Sequence, residues 1–349
     1  MLIPTVPKVT KAVTIRDVAK KAETSIATVS YVLNNEDRYL RPELRERVIQ
    51  AARELGYVKN AAARSLKGKQ RGILAILVAQ FGNSFFTRMC VSVEEVARRE
   101  GYIVTICNSY EDPQQERFIL ERLITQRIDG CILCPALSKA ENVEFLKHHR
   151  VPFVILERSL SPEFLPYAFV GHDNFQSGYM ATKRLLEAGH RQIAFSGWNS
   201  PIPNVNERVS GYRAALQEYG VTPREELIFL GDLSQDAGQK IAEKILLSKA
   251  TGAVLGQHDI AKGTLVHFQD KGVVWPRDIS LVLIGTPEWT EILHPVLTCI
   301  KRPEKEMGKA AATLLLSNMK NPSEVETQQL FPCELIEGGS IIHIESSSR

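Results

Sequence analysis

The Cys131-Ile-Leu-Cys134 run is the one C-x-x-C in the chain, and it is the first place where metal or redox chemistry could reside. Both thiols fall in an apolar run, 129–134, that reads as a strand. Alternate strand side chains face opposite ways, so residues three apart cannot share one zinc ion. Cys90, Cys107, Cys299 and Cys333 also stand mostly in apolar runs, and all six are expected to be reduced core thiols of a cytoplasmic protein. His148-His149 lies near a helix end and should face solvent. No Ser-His-Asp spacing, paired carboxylates or metal cluster can be assigned to one cleft, and no G-x-G-x-x-G or phosphate loop follows a strand. Neither catalysis nor a metal or nucleotide cofactor is expected.

The other chemistry on offer is recognition of a polyanion. Thr14, Ser25, Thr28, Ser30, Asn34 and Tyr57 are short polar or phenolic groups suited to phosphate oxygens, although several can equally serve as helix caps. They lie in a basic region: residues 1–72 carry 15 Lys or Arg against 7 Asp or Glu, whereas the remainder carries 28 against 33. A basic head on an acidic body suits a protein whose head alone meets nucleic acid, and a solvated basic surface would give the same count.

The elements that must position these groups are short helices. Thr14-Ile-Arg-Asp17 fits a capping box, with the Thr14 hydroxyl accepting from the Asp17 amide and the Asp17 carboxylate reaching back. Ile15, Val18, Ala19 and Ala22 then recur on one face of a helix ending near 21 or 22. After the turn Glu23-Thr24-Ser25, Ser25 can cap a second helix over 26–33 with Val29, Val32 and Leu33 turned inward. This is helix-turn-helix spacing. A third helix begins at Pro42, carries Val48, Ile49, Ala52 and Leu55 inward and stops at Gly56.

Here the residues resemble a family. Val13-Thr-Ile-Arg-Asp-Val-Ala-Lys-Lys-Ala22, Ser25-Ile-Ala-Thr-Val-Ser30, Val32-Leu-Asn34, Arg45-Glu-Arg-Val48, Ala52-Arg-Glu-Leu-Gly-Tyr57, Asn60 and Ala63-Arg-Ser-Leu66 closely resemble the headpiece of the lactose-repressor (LacI) family of bacterial transcription regulators. The departures are Glu23 for the usual Gly, Thr24 for Val, Lys59 for Pro and Tyr31 where Arg is common; they bear on turn geometry and operator sequence. The resemblance implies that the second helix enters the major groove, with Ile26, Ala27 and Tyr31 at base edges. Ile26 and Ala27 can touch a thymine methyl but cannot bond guanine as Arg does, so Tyr31 and DNA shape carry more of the specificity. Ile26 could instead pack on the first helix.

Asn60-Ala-Ala-Ala-Arg-Ser-Leu-Lys67 is helix-prone but shorter than the roughly 12 to 15 residues that make an isolated helix marginal in water. The resemblance makes it a hinge helix that folds on binding. Asn60, Ala63, Arg64 and Lys67 then approach the DNA, and Leu66 wedges into a minor-groove base step. A flexible linker is the plain alternative.

The body alternates apolar runs with amphipathic helices. Strands are expected at 73–78, 102–107, 129–134, 153–156, 193–197, 227–231, 252–256 and 280–285, the pattern of parallel sheets covered on both faces. The resemblance extends over this region. It implies an α/β core of two lobes like a periplasmic binding protein, joined by three crossings, with an effector in the cleft. The expected division is a headpiece at 1–59, hinge and linker at 60–71, a first lobe at 72–171 plus 303–330, and a second at 172–302 plus 331–349. No run approaches the ~20 apolar residues of a membrane span.

Asn83-Ser-Phe-Phe86, Asp173-Asn174, Gly189-His-Arg191 and Arg208 with Gly211-Tyr212 match family motifs. Phe85 or Phe86 would wall a sugar ring or planar base, or pack in the core, and Arg208 would fork onto oxygens. Trp198 and Trp289 follow strand ends, where they line a pocket or pack; Arg158 and Asp173 are further candidates. The family's Asn-Asp stands as His258-Asp259, and its Gly-Phe-Asp-Asp as Leu283-Ile-Gly-Thr286, so an acid that commonly accepts effector hydroxyls is Gly285. A cleft with Arg208 and His258 but without that acid admits an acidic or phosphorylated effector. The reading is a repressor of double-stranded operator DNA, dimeric through its body and controlled by a sugar, sugar acid or related metabolite. The alternatives are a degenerate cleft controlled by a protein partner, or a ligand-binding protein or enzyme on the same core.

Overall fold

In the computed structural model, residues 13–34, 40–58, 71–136, 141–161, 166–200, 202–321 and 328–344 are described. The hinge candidates Asn60, Ala63, Arg64, Leu66 and Lys67 lie outside them. The chain divides into two compact units at Arg71/Gly72.

The first unit contains α1 (Ile15–Lys21), α2 (Ile26–Leu33) and α3 (Pro42–Glu54). Val18, Ala19, Ala22, Val29, Val32, Val48, Ala51 and Ala52 form its core, an apolar stripe from each helix. Thr14 and Asp17 form the expected capping box, and Asp17 Oδ2 accepts from both the Thr14 hydroxyl and the Thr14 amide, at 2.7 and 2.8 Å. Glu23, in the turn between α1 and α2, has φ +48°, the left-handed conformation that explains the usual glycine there.

The second unit holds two six-stranded sheets. The strands are β1 (Ile73–Val78), β2 (Ile103–Asn108), β3 (Gly130–Leu133), β4 (Phe153–Leu156), β5 (Phe169–His172), β6 (Ile193–Trp198), β7 (Ile228–Gly231), β8 (Gly252–Leu255), β9 (Ser280–Ile284), β10 (Thr298–Lys301), β11 (Gln328–Phe331) and β12 (Glu334–Ile336). The first sheet runs β11-β5-β4-β3-β1-β2 and is parallel throughout. The second runs β12-β10-β9-β8-β6-β7, and only β12 is antiparallel. Between them run α4 (Ser84–Arg99), α5 (Pro113–Thr125), α6 (Glu141–His148), α7 (Asn174–Glu187), α8 (Pro203–Glu218), α9 (Gln235–Leu247), α10 (His258–Asp270) and α11 (Glu304–Lys320). The chain passes between sheets after His172, at Arg302-Pro303, and again between Phe331 and Glu334.

Strand alternation disposes of the C-x-x-C. Cys131 packs in the core on one face of the first sheet with Leu77 and Leu133, and Cys134 in the core on the other with Ile76 and Ile132. Both are buried and free, with burial pushing both thiols up. His148 and His149 are exposed.

Close helix pairing in the second lobe depends on glycine. Gly178 of α7 lies against the Arg208 carbonyl of α8, and Gly211 of α8 against the Phe175 carbonyl of α7. This reciprocal contact fixes the backbone of Arg208 at the cleft.

Candidate DNA interface and effector cleft

In the headpiece, burial of Val29 and Val32 turns Ile26, Ala27, Ser30 and Tyr31 to the other side of α2. Ile26 is 45% exposed, so it does not pack away against α1. Ala27 is exposed and Tyr31 half-buried. The Ser25 hydroxyl accepts from the Thr28 amide at 3.0 Å and lies 2.9 Å from the Thr28 hydroxyl; Asn34 donates to the Ser30 hydroxyl at 3.2 Å. These polar groups therefore also cap α2. Tyr57 packs against the helical core.

In the second unit, the carboxyl-terminal strand ends of both sheets face a common cleft, as open parallel sheets require. It encloses about 510 Å³ including its open mouth. Gln80 and Asn83 follow β1, Glu111 follows β2, and Glu157 and Arg158 follow β4. From the other sheet come Trp198 at the end of β6, Leu233 after β7 and Gln257 after β8. Asn204 and Arg208 project from α8, Phe85 and Phe86 from α4, and Arg302 stands on a crossing.

Arg158 grips Glu111 with two 2.6 Å bonds and lies over the rings of Phe86 and Trp198, 5.8 and 5.4 Å from their centroids. Arg208 donates to Asn174 Oδ1 at 2.8 Å and to the Gly256 carbonyl at 2.9 Å. Glu157 meets His172 at 2.9 Å and accepts from Asn204 at 3.2 Å. Burial works to raise the Glu157 carboxyl, but His172, Arg302 and Arg208 outweigh it and keep it ionised.

The sequence candidates separate accordingly. Phe85, Phe86, Arg158, Trp198 and Arg208 come together at the cleft. Asp173 does not; its carboxylate caps α7 by accepting from the Gln176 amide at 2.8 Å. Trp289 packs against the second lobe's core and is not among the cleft residues. His258 lies behind the lining, bonded to Asn83 and Arg302. The family acid is absent at Gly285 as expected, but Glu111 and Glu157 bring other carboxylates to the cleft. These two, with Gln80, Asn204, Gln257 and Arg302, escape sequence reasoning, although position just after a strand end singles out most of them.

His258 explains Gly285. Asn83 Oδ1 accepts from the Phe85 amide and faces His258 Nδ1 at 3.2 Å, so Nδ1 carries the proton and Nε2 accepts from Arg302 Nη2 at 3.1 Å. The imidazole is thus neutral. Burial, with Arg302, Arg208 and Arg88 facing it, holds its pKa well below the usual range. Unfolded histidine titrates near about 6.5, so below that pH the unfolded chain gains a proton that His258 refuses, and stability falls with falling pH. The Tm of the 72–349 unit is expected to decline as pH drops below about 6.5, and less steeply in His258→Gln. An identical decline in the variant would assign the effect to other groups.

A helix-turn-helix unit followed by a two-lobed core with a polar cleft defines a DNA-binding regulator with a binding-protein body. The model of bacterial regulatory proteins of the lacI family matches residues 14–60, and that of periplasmic binding proteins and the sugar binding domain of the LacI family matches residues 71–338. The chain belongs to the LacI family and is a transcription regulator. It is 32% identical to the repressor PurR of Vibrio atlanticus, over 94% of this chain and 98% of PurR. It is 31% identical to the repressor CytR of Escherichia coli K12, over 94% and 96%. The complex of the regulator CelR with cellobiose superposes with a TM-score of 0.72 at 25% identity, covering 94% of this chain and 99% of CelR.

Proposed function

We propose that the chain is a dimeric repressor in which α2 reads operator DNA and a small hydroxyl-rich effector, bound in the cleft, sets operator affinity. The carrying observation is the outer face of α2, where Ile26, Ala27 and Tyr31 stand opposite the buried Val29 and Val32. Ile26 and Ala27 suit thymine methyls and Tyr31 supplies a ring and a hydroxyl, while Thr14, Ser25, Thr28, Ser30, Asn34 and Tyr57 serve phosphates. One short helix reads too few base pairs alone, which favours a second copy. Exposed Val91 on α4 and Ile106, which edge strand β2 turns to the same face of the sheet, offer an apolar surface for it.

The cleft reading rests on Phe86 and Trp198 as ring walls, on Arg158 and Arg208, and on polar groups contributed by both lobes. Gln80 to Asp259 at 3.1 Å and Arg88 to the Thr286 carbonyl at 2.7 Å tie the lobes across its rim, so an effector can bias their closure. The protein acts by binding in the cytoplasm, not by catalysis; its relatives PurR and CytR are named repressors.

The test uses an operator selected from a random duplex pool. Tyr31→Ala should cost about 1 to 3 kcal/mol on that operator and much less on random DNA, because base contacts specify whereas phosphate contacts position. Equal losses on both, or no sequence enriched, would refute the reading.

A further inference from the structure

The cleft holds a positive charge that its own lining does not balance, and we propose that the effector supplies the counter-charge: a sugar acid whose single carboxylate docks on Arg302 with Arg208 beside it. This rests on the effector reading above and narrows it to one chemical class.

The lining carries Arg158, Arg208 and Arg302 against Glu111 and Glu157. Arg158 and Glu111 satisfy each other through two bonds. Glu157 is answered by His172 and Asn204, with Arg208 Nη2 at 3.8 Å. Among the described residues no carboxylate forms an ion pair with Arg302; Glu157 and Glu304 act on it only from farther off. Its guanidinium lies 3.6 Å over the Phe85 ring, and its Nη2 donates to the uncharged His258 imidazole. Its Nε is buried with no hydrogen-bond partner. Glu304, two residues along the chain and outside the lining, lies 3.7 Å from Arg88 and acts on Arg302 without hydrogen bonding to it. The strand end that could bring an acid to Arg302 Nη2 presents Gly285 instead.

A buried guanidinium with an idle N–H and no acid in direct contact is a site for a ligand carboxylate, which supplies charge and acceptor together. One excess charge matches a monocarboxylate better than a phosphate ester, which brings nearly two. Asn204, whose Oδ1 is also buried and unpartnered, leaves an acceptor for a sugar hydroxyl, and Phe86 and Trp198 provide apolar walls for the ring.

Calorimetry on the full chain should compare glucose and galactose with gluconate, glucuronate and galacturonate, and with glucose 6-phosphate. At least one acid is expected to bind ten or more times more tightly than its neutral sugar and than the phosphate. Arg302→Gln should abolish that ratio, and Arg302→Lys should keep most of it. Neutral sugar bound as tightly as its acid, phosphate bound best, or an undiminished ratio in Arg302→Gln overturns the carboxylate assignment and leaves the effector reading standing. Binding by none of the probes overturns both. The wild-type ratio decides the matter even if a variant fails to fold.

Discussion

Gly285→Asp, the change that would restore an acid common in the family, is expected to destabilise the 72–349 unit by about 3 to 5 kcal/mol and lower its Tm by roughly 10 °C. Two costs combine. Gly285 has φ +113°, which side-chain-bearing residues rarely adopt. Any Cβ there also overlaps His258 Nε2 and comes within 3.0 Å of Arg302 Nη2. His258 cannot retreat without losing Asn83, so the interlobe contact goes too. Gly285→Ala should be nearly as damaging, because Cβ already makes the clash. Adding His258→Ala to Gly285→Ala should recover part of the loss; thermal melts of the three variants measure this. Equal stability of Gly285→Ala and wild type would show that the glycine is incidental.

Gly211→Ala should be the other severe change, costing about 2 to 4 kcal/mol although alanine is the better helix former by about 1 kcal/mol. The propensity gain loses because a Cβ at Gly211 overlaps the Phe175 carbonyl and lies 2.7 Å from the Tyr179 amide, and backbone cannot rotate away as a side chain can. Separating α7 from α8 also moves Arg208, whose Nε bonds Asn174 at the start of α7. Effector affinity should therefore fall with stability. Gly82→Ala, at a site with open space, should leave both unchanged and serves as control. Denaturant titration and calorimetry on the same preparations separate the effects; unaltered stability in Gly211→Ala would refute tight packing here.

The headpiece is legible in sequence because its signals are local: caps, helical periodicity and a three-residue turn specify α1 to α3 within a residue or so. Strands β1 to β4 and β6 to β9 are legible as apolar runs. β5, β10, β11 and β12 are not. Phe169-Val-Gly-His172 is short and contains a glycine, and Gln328-Gln-Leu-Phe331 is half polar; they become strands through partners distant in sequence. Phe85, Phe86 and Arg208 were found by motif, and Trp198 by its place after a strand end. Arg302 and Glu157 were not, because a charged residue beside a short strand looks like surface until the crossings fold it inward. His258 and Gly285 stood out as separate departures from the family, and only their contact reveals them as one adjustment.

The pairing of β11 with β5 also sets the order in which the protein can be made. β5 ends at His172 and its outer neighbour begins at Gln328, while α11, which supplies Met307, Ala311 and Leu315 to the same core as Leu74 and Ile76, precedes that neighbour. At ribosomal rates of about 5 to 20 residues per second, the first lobe waits roughly 8 to 30 s with an apolar sheet face and a strand edge uncovered. The second lobe's parallel strands, from Ile193 to Lys301, emerge during that wait and can close before the first. The nascent chain thus presents its stickiest surface early and buries it late. Translation halted before Glu304 would yield aggregate for chaperones and proteases to clear, not a regulator with altered specificity.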